Sequence, residues 1–258
     1  MILDWFFGLD ISILGPAIVI LIEGAAEFGN QVGLRSHVAQ TENADVGTLA
    51  GAALGLLALL VAFNFSMAEA RFDARRNLVL EEANAIGSTA NFALMLPAAA
   101  QQPILDLLRD YTAVRIGLGV GHDQSKMEQD IAQSLELQTR LWQQAVAVTA
   151  ADPHSLPAYR FVGSLNEMNN IHEARLTALR NHVPFAVLLM LIGTSMVAMG
   201  FTGYNAGVSG TRRHLTMFIM TLTIALLILL IIDLDRPYRG LILVPVQALV
   251  DTAQGLPR

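Results

Sequence analysis

The chain has 258 residues, of which 53% are hydrophobic and 15% charged, with a formal net charge of −6 and no cysteine. Soluble domains carry about 25% charged residues, so this composition excludes a chain whose whole surface faces water. The missing thiols exclude a disulfide framework, a thiolate metal site and a cysteine nucleophile, and an acidic balance without a Lys/Arg stripe argues against a nucleic-acid surface.

The pattern predicts an all-α fold: a polytopic membrane protein with four transmembrane helices and a cytoplasmic helical bundle inserted between the second and third spans. Residues 1–67 form a first transmembrane hairpin with spans at about 5–24 and 46–67. Trp5–Ile22 is apolar apart from Asp10, carries Gly15-Pro16 in its middle and meets Glu23 near its end. It reads as a kinked crossing, with an interfacial helix as the alternative. No basic n-region or A-x-A-like site accompanies it, so it is expected to be retained rather than cleaved. Three further runs, Val46–Met67, Val183–Tyr204 and Leu215–Ile232, hold no charge over 22, 22 and 18 residues. A helix needs about 20 apolar residues to cross a hydrocarbon core about 30 Å thick.

Between Gly55 and Gly87 lie 31 residues without Gly or Pro, about 46 Å of helix and more than the membrane requires. The second span is therefore expected to run unbroken past the bilayer, with Phe72, Val79, Ala83, Ile86, Ala90 and Leu94 as its stripe up to Pro97. Two or three further helices follow within residues 68–182: Pro103–Ile116, Gln124–Ala150 with Met127, Ile131, Leu135, Trp142 and Val146 on one side, and Leu156–His182 with Leu165, Met168, Leu176 and Leu179. The last is expected to pass through Val183-Pro184 into the third span as a second long rod. Residues 183–232 make the second hairpin, with spans 183–204 and 214–232, and residues 233–258 a tail with a short amphipathic segment. Arg71, Arg75, Arg76, Arg175, Arg180, Arg236 and Arg239 fall on the insert side, against Arg35, Arg212 and Arg213 opposite. The positive-inside rule then makes the insert and both termini cytoplasmic, in a bacterial inner membrane.

Several constellations are candidate sites. Asp233, Asp235 and Arg236 sit where the fourth span leaves the membrane, and carboxylates there need solvent, a cation or a partner. They read either as a cation or gating site or, preferably, as a membrane-edge clamp with Arg75, Arg76 or Arg180. Glu82 and Asn84, with Glu167, offer oxygen ligands for Ca²⁺ or Mg²⁺, although interhelical pairing with Arg71 or Arg175 is the simpler reading. His172 lies on the stripe of Met168 and Leu176 and reads as a core histidine. Glu23 and Glu27, four apart on one face near the outer end of the first span, would concentrate cations at a pore mouth, or are simply solvated. Gly47, Gly51 and Gly55 follow small-xxx-small spacing for helix association. Leu56, Leu60, Phe63 and Met67, with Asn64 beside them, repeat at helical spacing and could gate by dewetting, or face lipid.

Three segments, RFDARRNLVLEEANAIGSTANFALMLP at Arg71–Pro97, LNEMNNIHEARLTALRNHVP at Leu165–Pro184 and IDLDRPYRG at Ile232–Gly240, resemble the bestrophin-like domain family of mainly bacterial membrane proteins. The resemblance spans roughly Asn43 to Leu256. It implies kinship with bestrophins, which are pentameric anion channels with four membrane segments per subunit and long helices entering the cytoplasm; no bestrophin site residue is carried over to a position here.

The sequence holds no H-E-x-x-H, Walker or G-x-S-x-G pattern, and Gly117-Leu-Gly119-Val-Gly121 lacks a preceding strand, so neither an enzyme nor a cofactor is expected. The expected partners are the lipid bilayer, inorganic ions and further copies of the chain, four or five in a ring. The leading expectation is an oligomeric ion channel of open selectivity. The alternative is a membrane-anchored scaffold or sensor whose bundle binds a partner.

Overall fold

The structure is a computed structural model that describes residues 10–36, 40–118, 124–210, 214–236 and 240–257. Every regular element among the described residues is a helix: α1 (Ile11–Arg35), α2 (Gln40–Ala93), α3 (Ala98–Gly117), α4 (Gln124–Ala151), α5 (Leu156–Arg180), α6 (Phe185–Val208), α7 (His214–Asp235) and α8 (Gln247–Gly255). Four helical stretches are long and apolar enough to cross a membrane: Ile11–Arg35, Asp45–Ala93 within α2, Leu156–Val208, which includes α6, and His214–Asp235. Trp5, Gly119, Gly121, Arg212, Arg213, Pro237 and Arg239 lie outside the described residues.

The first helix differs from expectation at both ends. It starts at Ile11, where the Asp10 side chain accepts the Ser12 N–H at 2.9 Å, and it continues through Pro16 to Arg35. Glu23 and Glu27 therefore stand within the helix rather than at its outer end, and α2 begins at Gln40, six residues earlier than its charge-free run. Charge content marked the apolar stretch, but backbone hydrogen bonding carries a helix past it wherever the residues are good formers. The same reason places the start of α3 at Ala98: three alanines and two glutamines precede Pro103, which sits inside the first turns.

The chain divides into two compact units, Met1–Ala70 with His182–Arg236 and Arg71–Asn181 with Pro237–Arg258. In the first, α1 and α6 run parallel at very close approach. A Cβ on Gly29 or Gly203 would overlap the carbonyl of Gly200 or Ala26, and Gly33 and Gly207 are similarly enclosed, so only hydrogen at these positions lets the two backbones meet. Helix α7 packs antiparallel to α1: Gly15 lies beside Leu229 at one end and the Glu27 carboxylate 3.8 Å from His214 Nδ1 at the other.

In the second unit, Val79, Ala83, Ile86 and Ala90 of α2 share a core with Ile104, Leu108 and Tyr111 of α3, Leu137, Leu141 and Ala145 of α4, and Phe161, Leu165 and Met168 of α5. Leu249 of α8 joins them, so the amphipathic tail segment covers this core. The stripe expected on α4 is corrected: Leu135, Trp142 and Val146 are exposed, and the buried face is Leu137, Leu141, Ala145 and Val148. This helix carries two apolar stripes, and the one with smaller side chains was overlooked.

The expected second rod is also corrected. Residues Asn181–Pro184 are not helical, and Pro184 disfavours helical backbone at Val183 just before it. The interruption is hydrogen-bonded: within the second unit Arg75 donates to the carbonyls of Ala178 and Asn181 at 3.1 and 2.9 Å, and within the first the Val183 N–H reaches the Asp235 carboxylate at 2.8 Å. By contrast, α2 is one helix across all its 54 residues.

Candidate functional site

The densest buried polar group lies inside the second unit. Glu82 on α2 is fully buried and faces Arg115 of α3 and Arg175 of α5. Arg115 Nε donates to Glu82 Oε1 at 2.6 Å and its Nη2 to Oε2 at 3.3 Å, while Arg175 Nη1 pairs with Oε2. The Tyr111 hydroxyl donates to Oε1 at 2.9 Å, so its single proton is committed. Its oxygen then accepts from Gln138 Nε2 at 3.4 Å and from His172 Nδ1 at 3.1 Å. That assignment leaves the His172 Nε2 lone pair buried without a partner among the described residues.

Electrostatics follow from this geometry. Burial alone would push the Glu82 carboxyl up, but Arg115 and Arg175 together hold it below the usual carboxylate range. Burial, then the Glu82 charge, raises the Tyr111 phenol. Burial, then the neighbouring Arg115 charge, lowers His172 to about 4, so the imidazole is neutral at ordinary pH. Four helices are thus pinned at one charged centre, a strong positional constraint and a costly one to disrupt.

The structure does not gather the three metal candidates. Glu82 points into the core, whereas Asn84 and Glu167 are exposed on their helices, and no group of three His, Cys, Asp or Glu among the described residues could hold a metal ion. Glu82 takes the bond to Arg175 that pairing anticipated; Arg71 instead donates to Asn181 Oδ1 at 2.9 Å. Sequence reasoning missed Arg115. Its signal was present: it continues the Ile104, Leu108, Tyr111 stripe, and a charge on an apolar stripe needs an interior partner.

Of the membrane-edge residues, Asp233, Asp235 and Arg236 are all buried at the end of α7, and Asp235 lies 3.5 Å from His182 Nδ1. In the second unit Arg75 is buried and caps the carboxyl end of α5, while Arg76 and Arg180 are exposed.

Among the pore candidates, Leu56, Phe63 and Met67 are exposed on α2, Leu60 is half-buried, and Asn64 is buried with its Nδ2 donating to the Leu60 carbonyl at 2.8 Å. Glu23 and Glu27 are half-buried; Glu27 accepts from Asn30 and Gln31 at 3.4 and 3.3 Å. Gly51 and Gly55 have open space where a Cβ would stand, and Gly47 has only ordinary contact with Asn205 at 3.6 Å. The glycines that bring helices together inside the subunit are Gly29, Gly33, Gly203 and Gly207, which repeat the same four-residue spacing.

The Bestrophin-like domain profile matches residues 18–249. The chain belongs to this family. The bestrophin-like fold is borne out by solved structures. A bacterial bestrophin homologue from Klebsiella pneumoniae is similar at 17% identity, with 95% of this chain and 96% of that chain covered and a TM-score of 0.64. A point variant of that homologue gives 16% identity, the same coverages and 0.65. A further crystal structure, described as a membrane protein, gives 16% identity and 0.62. No curated protein matches the sequence. At these identities the likeness carries the fold, and with the four apolar helices it makes this bestrophin-like chain an integral membrane protein.

Proposed function

We propose that the protein is the subunit of an oligomeric ion channel whose conduction path runs along the membrane part of α2. The observation that carries this reading is the exposure of that helix. In the subunit only 11% of the apolar segment within α2 is buried, against 33% for the apolar segments of the stretches Leu156–Val208 and His214–Asp235, and Leu56, Phe63 and Met67 stand outward. An apolar face with Gly51 and Gly55 open beside it suits association with further copies, four or five in a closed ring. A constriction of Leu60 and Phe63 would then gate by dewetting. Family membership supports the same reading. Selectivity stays undetermined, although carboxylates at Glu23 and Glu27 would concentrate cations at a pore mouth. The arginine distribution favours the bacterial inner membrane with residues 68–182 and both termini cytoplasmic. Reconstituted liposomes test the proposal: ion flux under a gradient supports it, and no flux under any gradient, potential or calcium condition overturns it.

A second reading, a membrane-anchored scaffold or sensor, has its own observation. The exposed face of α4 leaves a groove of about 540 Å³ lined by Trp142, Val146, Thr149 and Tyr159, with Tyr159 75% exposed. Apolar aromatic grooves of this size suit a partner. This reading predicts a dimer with a dry centre and a stoichiometric copurifying protein, and a subunit count from native mass spectrometry separates the two.

A further inference from the structure

A second groove in the bundle unit holds about 450 Å³ and is walled by three aromatic side chains, Phe92 of α2, Trp142 of α4 and Tyr159 of α5. Its volume falls in the range of about 300–1,000 Å³ that small-molecule sites occupy. Trp142 and Tyr159 also line the α4 groove described above, so the two hollows adjoin at this pair.

Two features of α5 inside this groove have no explanation within the subunit. Gly163 stands in the interior of a 25-residue helix, where glycine is less stable than alanine, and a Cβ built on it meets nothing within 4 Å. Gly29 and Gly203 are required because another backbone touches them, whereas Gly163 keeps a stretch of helix backbone bare toward the groove. Arg160 is the second feature. Its side chain makes no hydrogen bond or ion pair among the described residues, and no Asp or Glu lies within four residues of it along the helix or lines the groove.

The geometry points to a binding site for a small aromatic carboxylate, seated on the bare backbone at Gly163 between the aromatic walls, with its anionic head on Arg160. A guanidinium beside apolar faces holds a carboxylate through paired N–H donors more strongly than one in open water, and the exposed Asn166 amide in the same groove adds a further donor. An aromatic ring packs on aromatic walls and lies close to a helix backbone only where no Cβ intrudes. One cation matches one carboxylate; a cationic ligand would meet Arg160 with nothing to balance it. The site lies within one subunit and depends on neither reading of the function above.

Equilibrium dialysis of 2-naphthoate against the full chain in lipid nanodiscs, with empty nanodiscs as the blank, tests the inference apart from flux. The expected result is saturable binding, about tenfold tighter or more than that of the neutral counterpart 2-naphthylmethanol. Arg160→Gln weakens naphthoate binding about tenfold, whereas Arg140→Gln, exposed on α4 and outside the groove lining, leaves it unchanged. Gly163→Leu abolishes binding without lowering the thermal midpoint, since the new side chain enters open space. If Gly163→Leu fails to fold, Arg160→Gln and the alcohol still decide. No saturable binding, equal affinity for the alcohol, equal loss in the two arginine variants, or binding that survives Gly163→Leu overturns the assignment. A smaller oligomer for Gly163→Leu in native mass spectrometry also overturns it, since this face would then be a contact between copies.

Discussion

Replacing Glu82 by glutamine isolates the contribution of the buried charge centre. The substitution keeps the side-chain shape but leaves Arg115, fully buried, and Arg175, 5% exposed, without their carboxylate. Removing one partner of a buried ion pair costs about 3–5 kcal/mol, because the remaining charge cannot be resolvated. For a unit of this size that loss corresponds to a fall in unfolding midpoint on the order of 10–20 °C. The neighbouring exposed carboxylate supplies the control, since Glu81→Gln should leave the midpoint nearly unchanged. Thermal unfolding of the full chain in detergent, with hydrogen exchange read on peptides from α3 and α5, locates the effect. A triple change of Glu82, Arg115 and Arg175 to leucine and methionine should recover much of the loss, as apolar replacement of a whole buried network can. Equal midpoints for the Glu82 and Glu81 variants would refute the reasoning.

Acid should weaken the same unit. His172 stays neutral in the fold down to about 4, against about 6.5 when unfolded, so stability is full above 6.5 and falls progressively between 6.5 and 4; Glu82 adds loss in the same direction below about 4.5. His172→Phe should flatten the upper part of that profile in pH-dependent unfolding. Gly203→Ala should destabilise the membrane unit by about 1–3 kcal/mol, since its Cβ meets the Ala26 carbonyl. Gly51→Leu should leave the subunit folded and reduce oligomer size in native mass spectrometry, because nothing within the subunit occupies its place. Trp142→Ser should leave thermal stability almost unchanged and abolish capture of any partner seated in the α4 groove.

The membrane helices were legible because absence of charge over about 20 residues has few other causes. The continuity of α2 was legible for a similar reason: no Gly or Pro interrupts residues 56–86. Helix ends were less legible, because Glu23 or the Ala98–Gln102 stretch permits helix without demanding burial. The face of α4 was misread for a physical reason too. Trp142 is a far larger apolar body than Ala145, but packing against α3 and α5 favours the smaller side chain at that contact. Glu82 was singled out and its partner Arg175 named, yet Arg115 escaped notice, since a single arginine between Val114 and Ile116 also fits the solvated side of a helix. The small-residue spacing was noticed at Gly47, Gly51 and Gly55, while Gly29, Gly33, Gly203 and Gly207 carry the contacts inside the subunit.

The chain has no cysteine, so a thiol introduced at Phe63 would be the sole one in the protein. Flux through liposomes containing Phe63→Cys, measured before and after a charged, water-soluble thiol reagent, tests whether α2 lines the path. Conduction is expected to fall once the thiol is modified. Flux unchanged after complete modification, or no flux from the unmodified protein under any ionic condition, would contradict it.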